Sequence, residues 1–379
     1  MSVEPDVVKV LMVTPRYSPS VGGTETHVYE VGRRVAERGV ALTLLTTAPA
    51  GSAPSVEMAD GMRIIRVRAW PPRGDYFFAP GIETVMKSEN WDLVHCQSCH
   101  TFVPILAMRT AQKLGLPYVL TFHTGGHSSQ VRTLFRGLQW RLLKPLFAGA
   151  QSLIGVSQFE AAYFCLKLGL PVEKFEVIPN GASDLAAYLP SGETITPENA
   201  LIVSVGRLEK YKGHHRLILA LPEIHKYCPA ARLLILGQGP YELVLRELAK
   251  SAGVANFVEI RSISPARRAE LAMTLARASL VALLSQYEAH PVSIMEALSL
   301  RKPVLVANTS GLSELARWPL VKVIPLRSSA QKIAQTVAEI LAWPPRAEDV
   351  PLPTWDDCAE RLLTLYQRVV SERRAQCVS

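Results

Sequence analysis

Short apolar runs alternate with amphipathic stretches along this chain, and the alternation starts twice. Residues 7–14 form an apolar run of the kind buried in a parallel sheet. A Pro/Gly loop follows at 15–23, then an amphipathic helix over 25–38 ended by Gly39, and a strand at 40–46. Further strands are expected at 63–67, 93–95, 118–122 and 152–156. Residues 179–199, rich in Pro, Gly, Ser and Thr, read as a linker. The pattern then resumes, with strands at 200–205, 232–236, 257–260, 280–284, 303–307 and 321–324. Helices are expected at 214–226, 241–252, 265–276 and 330–343, and a Pro-rich break through Pro353 precedes a last helix at 356–374. At 379 residues the chain exceeds one typical core. The pattern therefore predicts an α/β protein of two Rossmann-like, doubly wound lobes facing a cleft. Ligands of such sheets bind beyond the carboxyl ends of the strands, so the strand-to-helix loops carry the functional expectation.

Four loops stand out. Gly22-Gly23-Thr24-Glu25 lies between the first strand and first helix, where glycines let a ligand approach the backbone and the helix end favours an anion. A plain turn is the alternative. Gly206-Arg207 and Lys212-Gly213 bound the loop after the first strand of the second lobe; an Arg fork and a Lys point charge there suit a diphosphate. A solvated basic loop is the alternative. His123 closes the strand at 118–122, ahead of Thr124-Gly125-Gly126-His127, and is placed to donate a hydrogen bond to a sugar hydroxyl or phosphate. A structural imidazole is the alternative. Finally, Glu288 and Glu296 flank Ala289-His290-Pro291-Val292-Ser293-Ile294-Met295. Pro291 suits the first turn of a helix, which puts Glu288 in the preceding loop and Glu296 inside the helix. Two acceptors beside a helix N-terminus suit the hydroxyls of two sugars on either side of a diphosphate. Two unrelated surface glutamates are the alternative.

The formal charge of +8 favours anionic partners. No apolar run reaches the length of about 20 residues that spans a bilayer, and the N-terminus lacks a signal pattern, so a cytoplasmic location is expected. Six scattered cysteines fit reduced thiols. Cys96-Gln97-Ser98-Cys99-His100 matches the short haem-attachment pattern, but no second Cys/His pair follows at a zinc-like spacing; it reads as a loop after a strand ending at His95. Residues 128–150 are a candidate membrane contact. Val131, Leu134, Phe135, Leu138, Leu142 and Leu146 share one helical face, with Arg136, Trp140, Lys144 and Phe147 opposite, although Gly137 and Pro145 interrupt the pattern. An ordinary surface helix is the alternative.

Taken together, the loops resemble the retaining glycosyltransferases of family 4, with the GT-B fold, over nearly the whole chain. Gly22-Gly23-Thr24-Glu25 with His27 is similar to the family's early Gly-Gly-x-Glu loop, and Ser204-Val205-Gly206-Arg207-Leu208 with Lys212-Gly213 to its diphosphate-binding segment. Gly237-Gln238-Gly239-Pro240 resembles the Gly-x-Gly-Pro turn, and Glu288 with Glu296 the paired-glutamate motif. Trp355 and the last helix resemble the tail that crosses back onto lobe one. The resemblance implies an acceptor domain over 1–182, with 354–379 returning to it, and a donor domain over 198–345. It implies that Glu296 holds ribose hydroxyls, while Glu288 and the backbone of His290, Pro291, Val292 and Ser293 hold donor sugar and phosphate. Arg207 and Lys212 would neutralise the leaving diphosphate, and His123 would contact the donor sugar near the reacting carbon. Gly22, Gly23, Gly237 and Arg261 would complete the donor site, Arg261 near the base pocket. Neither metal nor cofactor is implied, and the chain shows no Asp-x-Asp.

The expected partners are a nucleotide-diphosphate sugar, UDP-linked before GDP-linked, a glycan or lipid-linked acceptor, and an anionic membrane surface on the inner face. Nucleic acid is not expected, because the basic residues are spread out and no such binding motif is present. The family often has Gly-Phe-Gly after the first glutamate; here Ala289-His290-Pro291 stands instead, and Pro291 has no N–H to offer. Asn180-Gly181-Ala182-Ser183 has Ser where Asp is usual, Arg261 replaces a common Gly, and Thr309-Ser310-Gly311-Leu312 is less glycine-rich. These departures bear on sugar and base identity. A binding scaffold without turnover and a sugar-nucleotide epimerase share the same architecture and stand as alternatives.

Overall fold

The computed structural model describes residues 7–20, 22–71, 78–123, 130–190 and 195–378, with backbone only at 130–138 and 377–378. The Gly125-Gly126-His127 loop and the side chains of Val131, Leu134, Phe135, Arg136 and Leu138 lie outside the described residues. Two compact units emerge, one drawn from 1–124, 131–181 and 353–379, the other from Ala182–Leu352.

The first unit runs β1 (Lys9–Val13), α1 (Gly23–Glu37), β2 (Ala41–Thr47), β3 (Ser55–Ala59), β4 (Met62–Val67), α2 (Gly81–Ser88), β5 (Leu93–Gln97) and α3 (Phe102–Lys113). It continues through β6 (Tyr118–Thr121), α4 (Gln130–Ala148), β7 (Ser152–Gly155), α5 (Gln158–Leu168) and β8 (Phe175–Val177). The strands form one eight-stranded sheet in the order β3-β4-β2-β1-β5-β6-β7-β8, parallel except for β3 against β4. Strands with every inward and outward side chain buried, such as β5, need apolar or hydrogen-bonded residues at all positions, as the sequence supplies. Phe122 stacks on Phe164 with ring centroids 3.7 Å apart and anchors the core under α5.

Two expectations change here. β5 runs through Cys96 to Gln97 rather than ending at His95, because Val94, His95, Cys96 and Gln97 pair with β6. Cys96 and Cys99 are buried free thiols, and burial pushes the Cys96 thiol up. The aromatic residues of the basic face expected on 128–150 do not meet solvent. α4 is a single helix that contains Pro145, Trp140 and Phe147 are buried in the core, and it is Leu142 that lies 68% exposed.

The second unit runs β9 (Leu201–Val205), α6 (His214–His225), β10 (Arg232–Leu236), α7 (Glu242–Ser251), β11 (Val258–Arg261) and α8 (Arg268–Ala276). Then come β12 (Leu280–Leu283), α9 (Val292–Ser299), β13 (Val304–Asn308), β14 (Val321–Pro325) and α10 (Ala330–Ala342). The sheet order is β11-β10-β9-β12-β13-β14, all parallel. Strand order reverses between β9 and β12, and in the first unit between β2-β1 and β5. Crevices for ligands open at such reversals.

The last helix, α11 (Trp355–Val378), belongs to the first unit. It packs along α1, where Arg34 and Arg38 hold Asp356 at 3.1 and 2.6 Å. Trp355 is 2% exposed, with its ring 6.0 Å from that of His27. His27 Nδ1 lies 2.8 Å from Asn180 Oδ1, and His95 Nδ1 lies 2.5 Å from the Tyr366 hydroxyl. Buried imidazoles thus tie the tail to the sheet, and burial holds them neutral.

Their pKa values set an acid limit. Burial lowers His27 from 6.5 to about 4, against the Asn180 hydrogen bond. Burial, with the neighbouring His27, lowers His95 from 6.5 to about 3. Between those values and 6.5 the unfolded chain binds more protons than the folded one. Stability present at neutral pH is therefore lost as pH falls below 6.5, by about 1.4 kcal/mol per unit per histidine. Urea unfolding of the wild type between pH 7 and pH 5 should show this decline, and His95→Gln should show a shallower one.

Candidate active site

The loop from β9 to α6 bends at Gly213, whose φ is +78° and whose Cα lies against the Leu284 carbonyl. A Cβ at Gly213 would sit 2.0 Å from that oxygen, so only glycine lets the loop press onto the end of β12. Gln286 N donates to Tyr211 O at 2.7 Å and Ser285 Oγ lies 3.2 Å from Lys212 O, which brings the two loops together. His214 braces the same turn from below. Its Nδ1 lies 2.9 Å from Ser204 Oγ, and burial lowers its pKa to about 4.

These ties deliver Lys212 to Glu288 across the β9–β12 reversal. Lys212 Nζ donates to both carboxylate oxygens, at 2.7 and 2.9 Å, and the two side chains are 17% and 10% exposed. Ser285 Oγ donates to Glu288 Oε1 at 2.8 Å. Burial pulls the Lys212 ammonium down, but the charge of Glu288, Tyr211 and the hydrogen bond to Glu288 outweigh it, so its pKa rises and the ammonium stays charged. The Glu288 backbone is pinned as well. Its N–H donates to Ser310 Oγ at 2.8 Å, and Gly311 N donates to its carbonyl at 2.9 Å. Ser310 adopts a φ of +45°, the left-handed region in which non-glycine residues are strained.

Pro291 caps α9, and Ser293 Oγ donates to Val205 O at 3.3 Å, so the helix start sits over the end of β9. The N–H groups of Val292 and Ser293 belong to the first turn and find no partner within the helix, as at any helix start. Glu296 is 6% exposed in the second turn and accepts from Arg268 Nη2 at 2.6 Å. His290 is lowered to about 4 by burial and then by Arg317, and its Nδ1 is buried with no partner among the described residues.

Other expected residues fall outside this cluster. Arg207 is half exposed and faces Glu209 at 3.4 Å, whereas Lys212 pairs with Glu288. Arg261 is the last residue of β11, not a loop residue, and its guanidinium contacts Glu259 and Glu270. Gly237 packs on protein: a Cβ there would meet the Gly206 carbonyl at 1.9 Å. Gly22 and Gly23 differ, since a Cβ would meet only the flexible Glu25 side chain at Gly22 and nothing at Gly23. Packing does not require glycine at either position.

In the first unit, His123 follows β6 and its Nε2 lies 2.7 Å from Gln97 Oε1. Its ring stands edge-on to His27 with centroids 4.5 Å apart. Burial lowers its pKa well below 6.5, and His27, His95 and His100 lower it further. Sequence reasoning missed Ser285, Ser310, Arg268 and Gln97. The serine at 310 carried a signal, standing in a segment expected to be richer in glycine; the others carried none.

Comparisons with known proteins bear on the family and the fold. The description "Glycosyltransferase Family 4" matches residues 21–184 and "Glycosyl transferases group 1" matches 190–350. The chain is 24% identical over 381 residues to a phosphatidylinositol N-acetylglucosaminyltransferase subunit of Arabidopsis thaliana, covering 97% of this chain and 83% of that one. In structure it resembles sucrose-phosphate synthase from Thermosynechococcus elongatus, with a TM-score of 0.74 at 18% identity, covering 98% and 100% of the two chains. HepE from Anabaena, solved in complex with UDP-glucose, gives a TM-score of 0.70 at 20% identity, covering 97% and 99%. With consecutive matches across both units, and the fold shared with these enzymes, the chain belongs to the family 4 glycosyltransferases of GT-B fold.

Proposed function

We propose that this enzyme transfers a sugar, with retention, from a nucleotide-diphosphate sugar to an acceptor hydroxyl in glycan or cell-envelope synthesis. The observation that carries the reading is the buried Lys212–Glu288 pair beside the N-terminus of α9, at the strand reversal of the second sheet. A carboxylate offers about four acceptor directions. Lys212 and Ser285 leave part of that capacity for a sugar hydroxyl. The first-turn N–H groups at Val292 and Ser293 then receive the diphosphate, and Lys212 with exposed Arg207 supplies positive charge as the leaving group gains negative charge. Glu296 takes the ribose hydroxyls, oriented by Arg268. In this reading the second unit binds the donor and the first the acceptor, without a metal. A UDP-linked donor is favoured by the UDP-glucose complex of HepE. The acceptor class follows relatives such as the phosphatidylinositol-modifying enzyme, which supports a lipid-linked acceptor. A membrane-docking face on α4 has lost its basis, since Trp140 and Phe147 are buried. Among the described residues, no helix is long and apolar enough to cross a membrane.

Two outcomes check the reading. In a panel of UDP-, GDP-, ADP- and dTDP-sugars, one donor should raise the melting temperature and be slowly hydrolysed without metal, with no further gain from Mg²⁺. Stabilisation without turnover would favour a binding scaffold, and silence across the panel would refute the donor site. With that donor, Glu296→Ala should raise KM about tenfold or more, the cost of losing a charged hydrogen bond, with an unchanged circular dichroism spectrum. Wild-type kinetics in this variant would remove Glu296 from the donor site.

A further inference from the structure

We propose that Arg268 is a positioning residue that makes the nucleotide pocket select ribose over 2′-deoxyribose, by fixing the Glu296 carboxylate where it accepts from the 2′-hydroxyl. The inference rests on the donor reading above, which gives Glu296 to the ribose, and adds a residue and a specificity to it. Every residue involved belongs to the second unit.

Arg268 is the first residue of α8, and its Nη2 donates to Glu296 Oε1 at 2.6 Å. A guanidinium only donates, so this contact commits one side of the carboxylate. The neighbouring arginines are turned elsewhere: Arg261 Nη1 and Arg267 Nε face Glu270 at 3.1 and 3.0 Å. Glu296 is buried, and a buried carboxylate without a cation beside it is costly. A guanidinium in tight contact offsets that cost. It also fixes the carboxylate in advance, so that binding a nucleotide orders less.

The pair is braced from both ends. The Arg268 guanidinium lies over the Tyr188 ring, 5.9 Å from its centroid. Tyr188 ends a short 3-10 turn, Leu185–Tyr188, whose first backbone N–H donates to Ser299 Oγ at 3.2 Å. Ser299 Oγ in turn donates to the Glu296 carbonyl at 2.8 Å. One turn of chain thus holds the cation through a ring and the backbone of Glu296 through a serine.

Glu296 follows Val292 and Ser293 by four and three residues, so it shares their face one turn further along α9. With the diphosphate at that helix start, the adjoining group of a nucleotide is its ribose. A carboxylate repels phosphate oxygens and takes only donors, which leaves the ribose hydroxyls and the base N–H groups. The 2′- and 3′-hydroxyls sit side by side and suit a carboxylate held in one orientation. The two kinds of donor differ in consequence. A base N–H is the same in ribo- and deoxyribonucleotides, whereas a 2′-hydroxyl contact is lost in the deoxy compound.

The test is calorimetric binding of UDP and 2′-deoxy-UDP to the full chain, with the GDP and ADP pairs alongside. The wild type should bind one ribonucleotide about tenfold or more tightly than its deoxy counterpart, the worth of one hydrogen bond to a charged group. Arg268→Gln should lose affinity for the ribonucleotide and keep it for the deoxy compound, with an unchanged circular dichroism spectrum, so that the ratio falls toward one. Arg268→Lys keeps a cation beside Glu296 but not the planar group over Tyr188. It should fold even where the Gln variant does not, and should give a ratio below that of the wild type. A wild-type ratio in either variant overturns the inference, and so do equal losses for both nucleotides. A wild type without preference for the ribonucleotide overturns it too, and leaves the donor reading standing. If the wild type binds no member of the three pairs, the donor reading fails and the inference falls with it.

Discussion

An ammonium and a carboxylate buried side by side cost several kcal/mol of lost hydration each, and only tight mutual geometry recovers it. Lys212 and Glu288 meet that condition, with both oxygens engaged within 2.9 Å. The surroundings exist to keep it met. Gly213 lets one loop seat on the end of β12, Ser285 donates to the Glu288 carboxylate from beside the Lys212 carbonyl, and Ser310 with Gly311 fixes the Glu288 backbone. Remove either charge and the other is stranded. The start of α9 is held by the same loops, so the helix start and the ion pair are a single construction.

Much of this was legible from residue order, but in pieces. Glycine at 213 after a basic residue, proline at 291 before an apolar turn, and glutamates at 288 and 296 each signalled a loop or helix start. Their meeting was not legible. Lys212 and Glu288 lie in different loops, and only the adjacency of β9 and β12 in the sheet joins them. Strand order is a tertiary fact that alternation of strands and helices does not encode.

Other differences have specific physical causes. β3 is an edge strand whose side chains are nearly all exposed, so it carries no burial pattern and is held by its backbone pairing with β4. Both expected faces of α4 contain large apolar residues, so helical period alone does not say which turn inward; among the described side chains Trp140 and Phe147 do and Leu142 does not. Arg261 was placed by motif position, whereas β11 extends to include it and its charge is spent on Glu259 and Glu270. The first unit repeats the lesson with neutral groups: His27, His95 and His123 come from three separate segments and gain meaning only through Asn180, Tyr366 and Gln97.

The dependence of the site on its ion pair is open to direct measurement by a double-mutant cycle in unfolding free energy, with Lys212→Met, Glu288→Gln and the double variant. Each single change should cost about 3–5 kcal/mol by stranding a buried partner, and the double change should cost far less than their sum. Effects that add to within about 0.5 kcal/mol would mean the two groups act independently, and would contradict the central role of their pairing.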